Sequence, residues 1–315
     1  MRVRLLTLLA TASLVLLGAV PAQAEGGGNR DEGNQGTYLA LGDSVAFGTD
    51  PNKDPNQPAT FSGYTDIVAS SLNLSETNPS CPGEASGGFI DVTGLDNVCQ
   101  SLYRKFFPLH VSKVGIPPHA SYTDPSESQL QFAVDYLRHH PHTRLITIDL
   151  GANDIFKLTS ICTTVHPTDP AAIAACVAAS LPTYLSNMES NLEHIFKTLR
   201  AYYHGTIVAL TYYALVYDKA GIAGTKQLNA PMIEAAEEFN VRIASGFNAF
   251  KALSLANGGG DSCKAGLRII DLHFGANPPQ LPSCDVHPTP AGHQLLANAI
   301  LRAVHGDEGD NAENN

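Results

Sequence analysis

The chain has 315 residues, of which 43% are apolar and 16% are charged. This composition is that of an ordinary globular protein, and it excludes a disordered or fibrous protein for the bulk of the chain. The 19 Lys and Arg residues against 30 Asp and Glu residues give a formal net charge of −11. So acidic a chain is a poor candidate for sequence-independent binding of nucleic acid, which depends on basic charge.

The N-terminus has the pattern of a secretory signal peptide. In residues 1–24, Arg2 and Arg4 precede an apolar run that ends in the small-residue site Ala22-Gln23-Ala24. We therefore expect a secreted, extracellular protein, with an uncleaved N-terminal anchor as the alternative. No second apolar run approaches the ~20 residues that span a bilayer, so we expect no integral membrane segment after signal cleavage.

The segments next to the two ends are polar. Residues 25–36 are rich in glycine and predict a flexible linker. Residues 306–315 carry four acids and predict a disordered tail. The part between them, residues 37–305, has the length of one α/β domain with loop insertions, and we expect it to be monomeric.

Short apolar runs bounded by glycine predict buried strands of a parallel sheet. These runs are Thr37–Leu41, Leu145–Leu150, Thr206–Leu210 and Leu267–Asp271, with a weaker candidate at Leu72–Glu76. Longer segments have apolar residues at helical spacing, namely Glu127–His140, Pro182–Tyr203, Asn229–Leu255 and Thr289–Val304. In the last of these, Thr289 is the predicted N-cap and Pro290 the first helical residue.

This alternation of strands and helices predicts a three-layer α/β/α sandwich with a central parallel sheet of about five strands. Ligands of such folds bind beyond the carboxyl ends of the strands. Two polar blocks follow predicted strands, Gly42-Asp43-Ser44 and Gly151-Ala152-Asn153-Asp154, and a third, Asp285-Val286-His287, precedes the last helix. A serine hydroxyl is a weak nucleophile until a base takes its proton, and His287 is the candidate base.

The three blocks, in this order and spacing, resemble the SGNH hydrolases, also called the GDSL esterase/lipase superfamily. The resemblance extends from Tyr38 to about Leu301. It implies a flavodoxin-like SGNH hydrolase fold and a secreted serine ester hydrolase that cleaves small-molecule or lipid carboxylic esters through an acyl-enzyme on Ser44. It also implies that no metal or organic cofactor is needed. The alternatives are a carbohydrate deacetylase or phospholipase of the same superfamily, or a non-catalytic secreted binding protein on the same scaffold.

The resemblance assigns the oxyanion hole to the Ser44 N–H, the Asn153 amide and the N–H of a glycine. Gly83 is the preferred glycine, because it follows the weak strand candidate, and Gly115 is the alternative. Members of the superfamily usually have their acid three residues before the histidine, where this chain has Cys284. Asp285, two residues before His287, is the candidate acid, and a backbone carbonyl that orients the histidine is the alternative.

Several further residues resemble functional residues but have a structural explanation that we compare with the functional one. Gly260-Asp261-Ser262 repeats the nucleophile tripeptide but follows a run of glycines, so we interpret it as a surface loop. Tyr212, Tyr213 and Tyr217 follow a predicted strand and are candidates for lining an acyl pocket. His293 is interpreted as a packed or capping histidine instead of a second base.

Six cysteines allow fifteen pairings, and a secreted protein is expected to oxidise them. The simplest proposal is sequential, and three sequential bridges are similar to those of secreted actinobacterial members of the superfamily. Each bridge would close a loop beside one catalytic block. The proposed pairs are Cys81–Cys99, Cys162–Cys176 and Cys263–Cys284.

Overall fold

The computed structural model describes residues 36–54, 57–96, 99, 119–120, 122, 127–272 and 280–306. Its secondary structure elements run from Thr37 to His305. The predictions for the signal peptide, for all but one residue each of the linker and the acidic tail, and for Gly115 lie outside the described residues.

The core of the fold is a five-stranded parallel sheet with the strand order β2-β1-β3-β4-β5. Its strands are β1 (Thr37–Gly42), β2 (Ser75–Thr77), β3 (Thr143–Asp149), β4 (Thr206–Thr211) and β5 (Arg242–Ser245). Because β1 and β3 are neighbours and Gly42 pairs with Asp149, the blocks that follow these two strands begin side by side.

Helices cover both faces of this sheet. They are α1 (Ser44–Phe47), α2 (Tyr64–Leu72), α3 (Ser86–Ile90), α4 (Gln129–His139), α5 (Ala152–Val165), α6 (Pro170–Tyr202), α7 (Lys219–Glu238), α8 (Gly246–Gly258) and α9 (Pro290–His305). A separate antiparallel pair consists of β6 (Arg268–Asp271) and β7 (Ser283–Pro288).

Two apolar cores separate the layers, because successive strand residues point to opposite faces. Leu39 and Leu41 of β1 lie in the core formed with α3, α4, α6 and α7. Tyr38 and Ala40 lie in the other core, with α1, α2, α8 and α9. Replacing a fully buried leucine of either core with alanine is expected to cost about 2–5 kcal/mol. The predicted three-layer α/β/α sandwich is confirmed.

Two element predictions are wrong in detail. The run Leu267–Asp271 does contain a strand, but β6 pairs antiparallel with β7 and is not part of the parallel sheet. Ile270 is 45% exposed, as expected where one sheet face meets solvent. The segment Asn229–Leu255 is not one helix, because Asn240 adopts a left-handed backbone conformation (φ 52°) and the chain then enters β5. Four residues are too short a strand to interrupt the apolar periodicity of the sequence.

The helix starts show how capping residues set the boundaries. As predicted, α9 begins at Pro290, and the Thr289 hydroxyl accepts the N–H of Gly292 at 3.2 Å. In contrast, α6 begins twelve residues before the predicted Pro182, because Asp169 caps it and Pro182 lies within the helix.

By length and composition alone, one helix of the described residues, α6, is apolar enough to cross a membrane, with an 18-residue window of mean hydropathy 1.3. Its C-terminal half packs into the core through buried residues, namely Met188, Leu192, Ile195, Phe196 and Leu199. The C-terminal half of α6 is therefore part of the folded domain, whereas only 6% of the apolar window is buried.

Candidate active site

The nucleophile block forms a tight turn at the carboxyl end of β1. Gly42 has a positive φ of 139°, and a Cβ there would lie 2.5 Å from the backbone oxygen of Asp149, so the turn requires glycine. Asp43 then caps α1, its carboxylate accepting the N–H of Val45 at 2.9 Å. Ser44 is the first residue of α1 and is partly exposed, although both of its neighbours are buried. The turn thus presents the serine at the carboxyl edge of the sheet.

Asp43 connects this turn to the next block. The side-chain amide of Asn153, at the start of α5, donates to Asp43 Oδ2 at 2.9 Å. The hydroxyl of Tyr212, which follows β4, donates to the same oxygen at 2.7 Å. Asp43 is 1% exposed. The structure therefore brings Asn153 next to the nucleophile turn and holds it there through a buried carboxylate.

A second buried carboxyl group, that of Asp149, lies at the end of β3. Its Oδ1 accepts the hydroxyl of Tyr64 at 2.8 Å. Burial raises the pKa of Asp149 well above its ordinary value, and the neighbouring charge of Asp43 raises it further. Both effects favour the neutral carboxylic acid of Asp149, the form that limits the negative charge buried behind the nucleophile turn.

Asp154 ties the start of α5 to α3. Its two carboxylate oxygens accept the Ser86 N–H at 3.0 Å and the Ser86 hydroxyl at 2.6 Å. Burial raises the pKa of Asp154 to about 6, against the opposing effect of these hydrogen bonds. The neighbouring Asn153 consequently lies in a helix start that is tied to the nucleophile turn through Asp43 and to α3 through Asp154.

Gly83 lies in the turn that precedes α3, with a positive φ of 85°. The N–H of Cys81 donates to the carbonyl of Gly42 at 3.2 Å, and the N–H of Glu84 closes the turn on the Cys81 carbonyl at 3.0 Å. The structure thus places the Gly83 turn against the nucleophile turn.

Gln129, at the start of α4, holds these two turns together and was not identified from the sequence. Its side-chain amide accepts the Gly42 N–H at 2.7 Å and donates to the Gly42 carbonyl at 3.0 Å. It also donates to the carboxylate of Glu84 at 3.0 Å. Gln129 is completely buried. A glutamine in a predicted helix is usually expected on the surface, so the sequence pattern does not predict this role.

His287 and Asp285 lie together on β7, which contacts α1. A short hydrogen bond joins His287 Nδ1 to Asp285 Oδ1, and the same oxygen accepts the His287 backbone N–H at 2.9 Å. Burial alone would raise the pKa of Asp285, but the hydrogen bonds and charge of His287, with the charge of Arg268, lower it below its ordinary value. Of the two alternatives for orienting His287, the structure therefore places the ionised carboxylate on Nδ1.

The repeated tripeptide Gly260-Asp261-Ser262 supports this histidine segment and is not a surface loop. Ser262 is completely buried, and its hydroxyl donates to the carbonyl of Leu215 at 2.8 Å. The same oxygen accepts Arg268 Nε at 2.8 Å, and Arg268 Nη1 donates to the Asp285 carbonyl at 3.0 Å. The Ser262 hydroxyl thus acts as both donor and acceptor, and it helps to hold Arg268 next to the backbone of Asp285.

The sequence makes Tyr212, Tyr213 and Tyr217 candidates for lining an acyl pocket, but in the structure each of their hydroxyls donates a hydrogen bond to another part of the protein. Tyr212 donates to Asp43, as described above. Tyr213 donates to the carbonyl of Val286 at 2.6 Å, and Tyr217 to the carbonyl of Phe247 at 2.6 Å. Tyr213 and Tyr217 are buried, so their rings pack inside the fold.

His293, in the first turn of α9, is packed as the sequence interpretation expects. Its Nδ1 accepts the N–H of Tyr64 at 3.1 Å, and the side chain is 4% exposed. Burial, with the charges of His287 and Lys53, lowers the pKa of His293 to about 3. It is therefore neutral near pH 7 and acts as an acceptor in the core.

The disulfides have the predicted sequential pairing. They are Cys81–Cys99, Cys162–Cys176 and Cys263–Cys284. The first lies in the Gly83 turn, the second joins α5 to α6, and the third ends at the start of the His287 segment. Among the described residues, the sulfurs of Cys81 and Cys99 lie close to the buried carboxylate of Glu84, a grouping that could hold a metal ion. Because the two sulfurs form a disulfide with each other, they are not available as thiolate ligands.

A cavity of about 810 Å³ lies along β5 between α7, α8 and α9. Its described lining does not include Ser44, Asn153 or His287, so this cavity is not part of the candidate site. A smaller cavity of about 360 Å³ is lined by Asp154 and by residues of α3 and α6.

A parallel sheet covered by helices on both faces, with Ser44 and Asn153 at its carboxyl edge, is the fold of the SGNH hydrolases. The model of the GDSL-like lipase/acylhydrolase family matches residues 40–295. The chain therefore belongs to this family of hydrolases.

Solved structures are similar to this chain at low sequence identity. Phospholipase A1 from Streptomyces albidoflavus NA297 is 16% identical with a TM-score of 0.53, over 85% of this chain and 99% of that one. The extracellular lipase from Streptomyces rimosus is 15% identical with a TM-score of 0.52, over the same two shares. An acetylxylan esterase from Geobacillus stearothermophilus, as its H194A mutant, is 14% identical with a TM-score of 0.48, over 85% and 94% of the two chains. No curated protein matches the sequence significantly.

Proposed function

We propose that the protein is a secreted, monomeric carboxylic ester hydrolase that works through an acyl-enzyme on Ser44. The observation that carries this proposal is the convergence of three separate segments. Ser44 is presented on α1, Asn153 is fixed to the same turn through Asp43, and β7 with His287 and Asp285 packs against α1. These are the parts that acyl transfer needs, namely a nucleophile, a base with its orienting group, and a hydrogen-bond donor.

In the first step, the Ser44 hydroxyl oxygen attacks the ester carbonyl carbon while His287 Nε2 takes the hydroxyl proton. The ionised Asp285 on Nδ1 holds the ring in the required tautomer and stabilises the imidazolium that forms. The negative charge on the carbonyl oxygen is stabilised by the N–H groups of Ser44 and Gly83. The second proton of the Asn153 amide, whose first goes to Asp43, is the third donor.

In the second step, the tetrahedral intermediate collapses, the bond to the leaving alcohol breaks, and His287 returns the proton to the alcohol oxygen. A water molecule then attacks the acyl group with His287 again as base. The acid is released and Ser44 recovers its proton. Every bond change in this scheme is carried by side chains and water, so the scheme requires no metal or organic cofactor.

Secretion is supported by two independent features. The signal-peptide pattern of residues 1–24 predicts export, and the three disulfides fit an oxidising compartment. Small-molecule or lipid esters are the proposed substrates, and the length of the acyl chain is the property that the experiment below determines.

The test is a series of aryl esters with acyl chains from two to sixteen carbons, compared between the wild type and Ser44→Ala. We expect turnover by the wild type and a loss of at least about 10³-fold in the variant. A fluorophosphonate probe, followed by peptide mapping, should label Ser44. Ser262, in the same tripeptide, is the internal control and should stay unlabelled. A wild type that neither turns over any ester nor labels at Ser44 would refute the proposal and favour a non-catalytic binding protein on this scaffold.

A further inference from the structure

Tyr212 and Tyr213 are consecutive residues at the carboxyl end of β4, which ends at Thr211. Successive side chains of an extended chain point to opposite sides. Their hydroxyls accordingly reach two different parts of the candidate active site, at Asp43 and at Val286. The end of β4 thus contacts both halves of the site, namely the nucleophile turn with Asp43 and the histidine segment with Val286.

Tyr212 is fixed by α7 before it reaches the site. The side chain of Asn229 accepts the Tyr212 N–H at 2.9 Å and donates to the Tyr212 carbonyl at 2.8 Å. From this fixed backbone, the Tyr212 hydroxyl donates to Asp43 Oδ2, the oxygen that also accepts the Asn153 amide. Burial raises the pKa of Tyr212 well above its ordinary value, so the hydroxyl keeps the proton that it donates.

Tyr213 is fixed by α8. Its ring stacks on that of Phe250, with ring centroids 4.0 Å apart and planes at 10°. Its hydroxyl donates to the carbonyl of Val286, the residue between Asp285 and His287. With one aromatic face packed and the hydroxyl bonded, Tyr213 holds the backbone of the histidine segment at a set distance from β4.

We propose that Tyr212 and Tyr213 are positioning residues that align the two halves of the active site on one strand end. Tyr212 acts through Asp43 on the oxyanion donor Asn153, and Tyr213 acts through Val286 on the base His287. This inference rests on the ester hydrolase function proposed above.

The effect expected of such residues is on the chemical step. A displacement of about 1 Å in a catalytic group costs up to about 100-fold in rate, because reacting groups must be held at near-contact distances. Removing either hydroxyl leaves the ring and its packing in place. We therefore expect Tyr212→Phe and Tyr213→Phe each to lower kcat about 10- to 100-fold, with KM changed less than about twofold.

Tyr217→Phe is the matched control. It also removes a tyrosine hydroxyl from the segment after β4, and it also breaks a 2.6 Å hydrogen bond to a backbone carbonyl, that of Phe247. It breaks in addition the 3.3 Å bond that this hydroxyl accepts from the Ala214 N–H. We expect its Tm to fall at least as much as that of the other two variants, while its kcat stays within about twofold of the wild type. Fluorophosphonate titration gives the fraction of correctly folded enzyme in each preparation, so that kcat refers to active sites only.

A double-mutant cycle then separates positioning from general stabilisation. In the Asn153→Ala background, Tyr212→Phe should have little further effect on kcat, because the donor through which it acts is gone. Tyr213→Phe should keep its full effect there. The inference is overturned if the two variants lower kcat no more than Tyr217→Phe does, or if the effect of Tyr212→Phe is the same with and without Asn153. A wild type without turnover or labelling would instead remove the proposed function itself.

Discussion

A buried histidine makes the stability of this protein depend on pH in a direction that the structure specifies. His293 is packed against α2, where its Nδ1 accepts the Tyr64 N–H, and its pKa is lowered to about 3 by burial and by nearby positive charge. In the unfolded chain it returns to its ordinary value of about 6.5. Between these values the unfolded state binds more protons, so the free energy of unfolding falls as the pH falls below about 6.5.

The magnitude follows from the two pKa values. A shift of one unit corresponds to 1.36 kcal/mol, so the full loss between about pH 6.5 and 3 is about 5 kcal/mol, and about 2 kcal/mol is lost by pH 5. His293→Asn supplies a side-chain oxygen as an acceptor for Tyr64 and removes the titrating group. We therefore expect the wild type to lose about 2 kcal/mol more than His293→Asn between pH 7.5 and pH 5.

Urea unfolding at the two pH values measures this difference directly. The control is His194→Asn, because His194 is exposed on α6 and its replacement should follow the wild type at both pH values. If the wild type and His293→Asn lost the same free energy on acidification, the buried neutral state of His293 would be refuted.

Three further predictions concern other groups. Asp285→Asn should lower kcat by about 10⁴-fold, as for a triad carboxylate that orients its histidine; a loss below tenfold at saturating ester would mean that the contact with His287 does not matter for catalysis. Burial raises the pKa of Glu76 to about 7, so its ionisation lowers the free energy of unfolding as the pH rises from about 4.5 to 7. Between pH 5 and pH 8 in the same urea assay, the free energy of unfolding of Glu76→Gln should fall by about 2 kcal/mol less than that of the wild type. Identical falls would contradict the raised pKa. Replacing Cys162 and Cys176 together with serine opens a 14-residue separation and should lower the free energy of unfolding by about 3 kcal/mol in the chain-entropy estimate; an unchanged urea midpoint would show that the bridge contributes no stability.

The sequence predicts the parts of the site that depend on local chemistry. Gly42 precedes Asp43 and Ser44 because the turn beside β3 tolerates no side chain, and Thr289 with Pro290 starts α9 because these residues satisfy a helix N-terminus. Both patterns are visible within a few residues of the chain.

The parts that the sequence does not predict depend on contacts between distant segments. Gln129 bonds to Gly42 across 87 residues, and Tyr212 reaches Asp43 across 169. A polar side chain that finds its partner only in the folded state has no neighbour in sequence to reveal it. For the same reason the sequence predicts a surface loop at Ser262, because its partner Arg268 lies on β6, which pairs with β7 in the folded protein.

The lengths of the two outermost strands have a consequence for how the protein behaves at high concentration. β2 has three residues and β5 has four, and the guanidinium of Arg242 on β5 donates to the carbonyls of Ala303 and Val304 at the end of α9. Short and charged sheet edges offer few free backbone groups to a strand from another molecule. Such a sheet is poorly suited to recruit a strand from a second chain, and the two short edges therefore protect the folded protein against edge-to-edge aggregation.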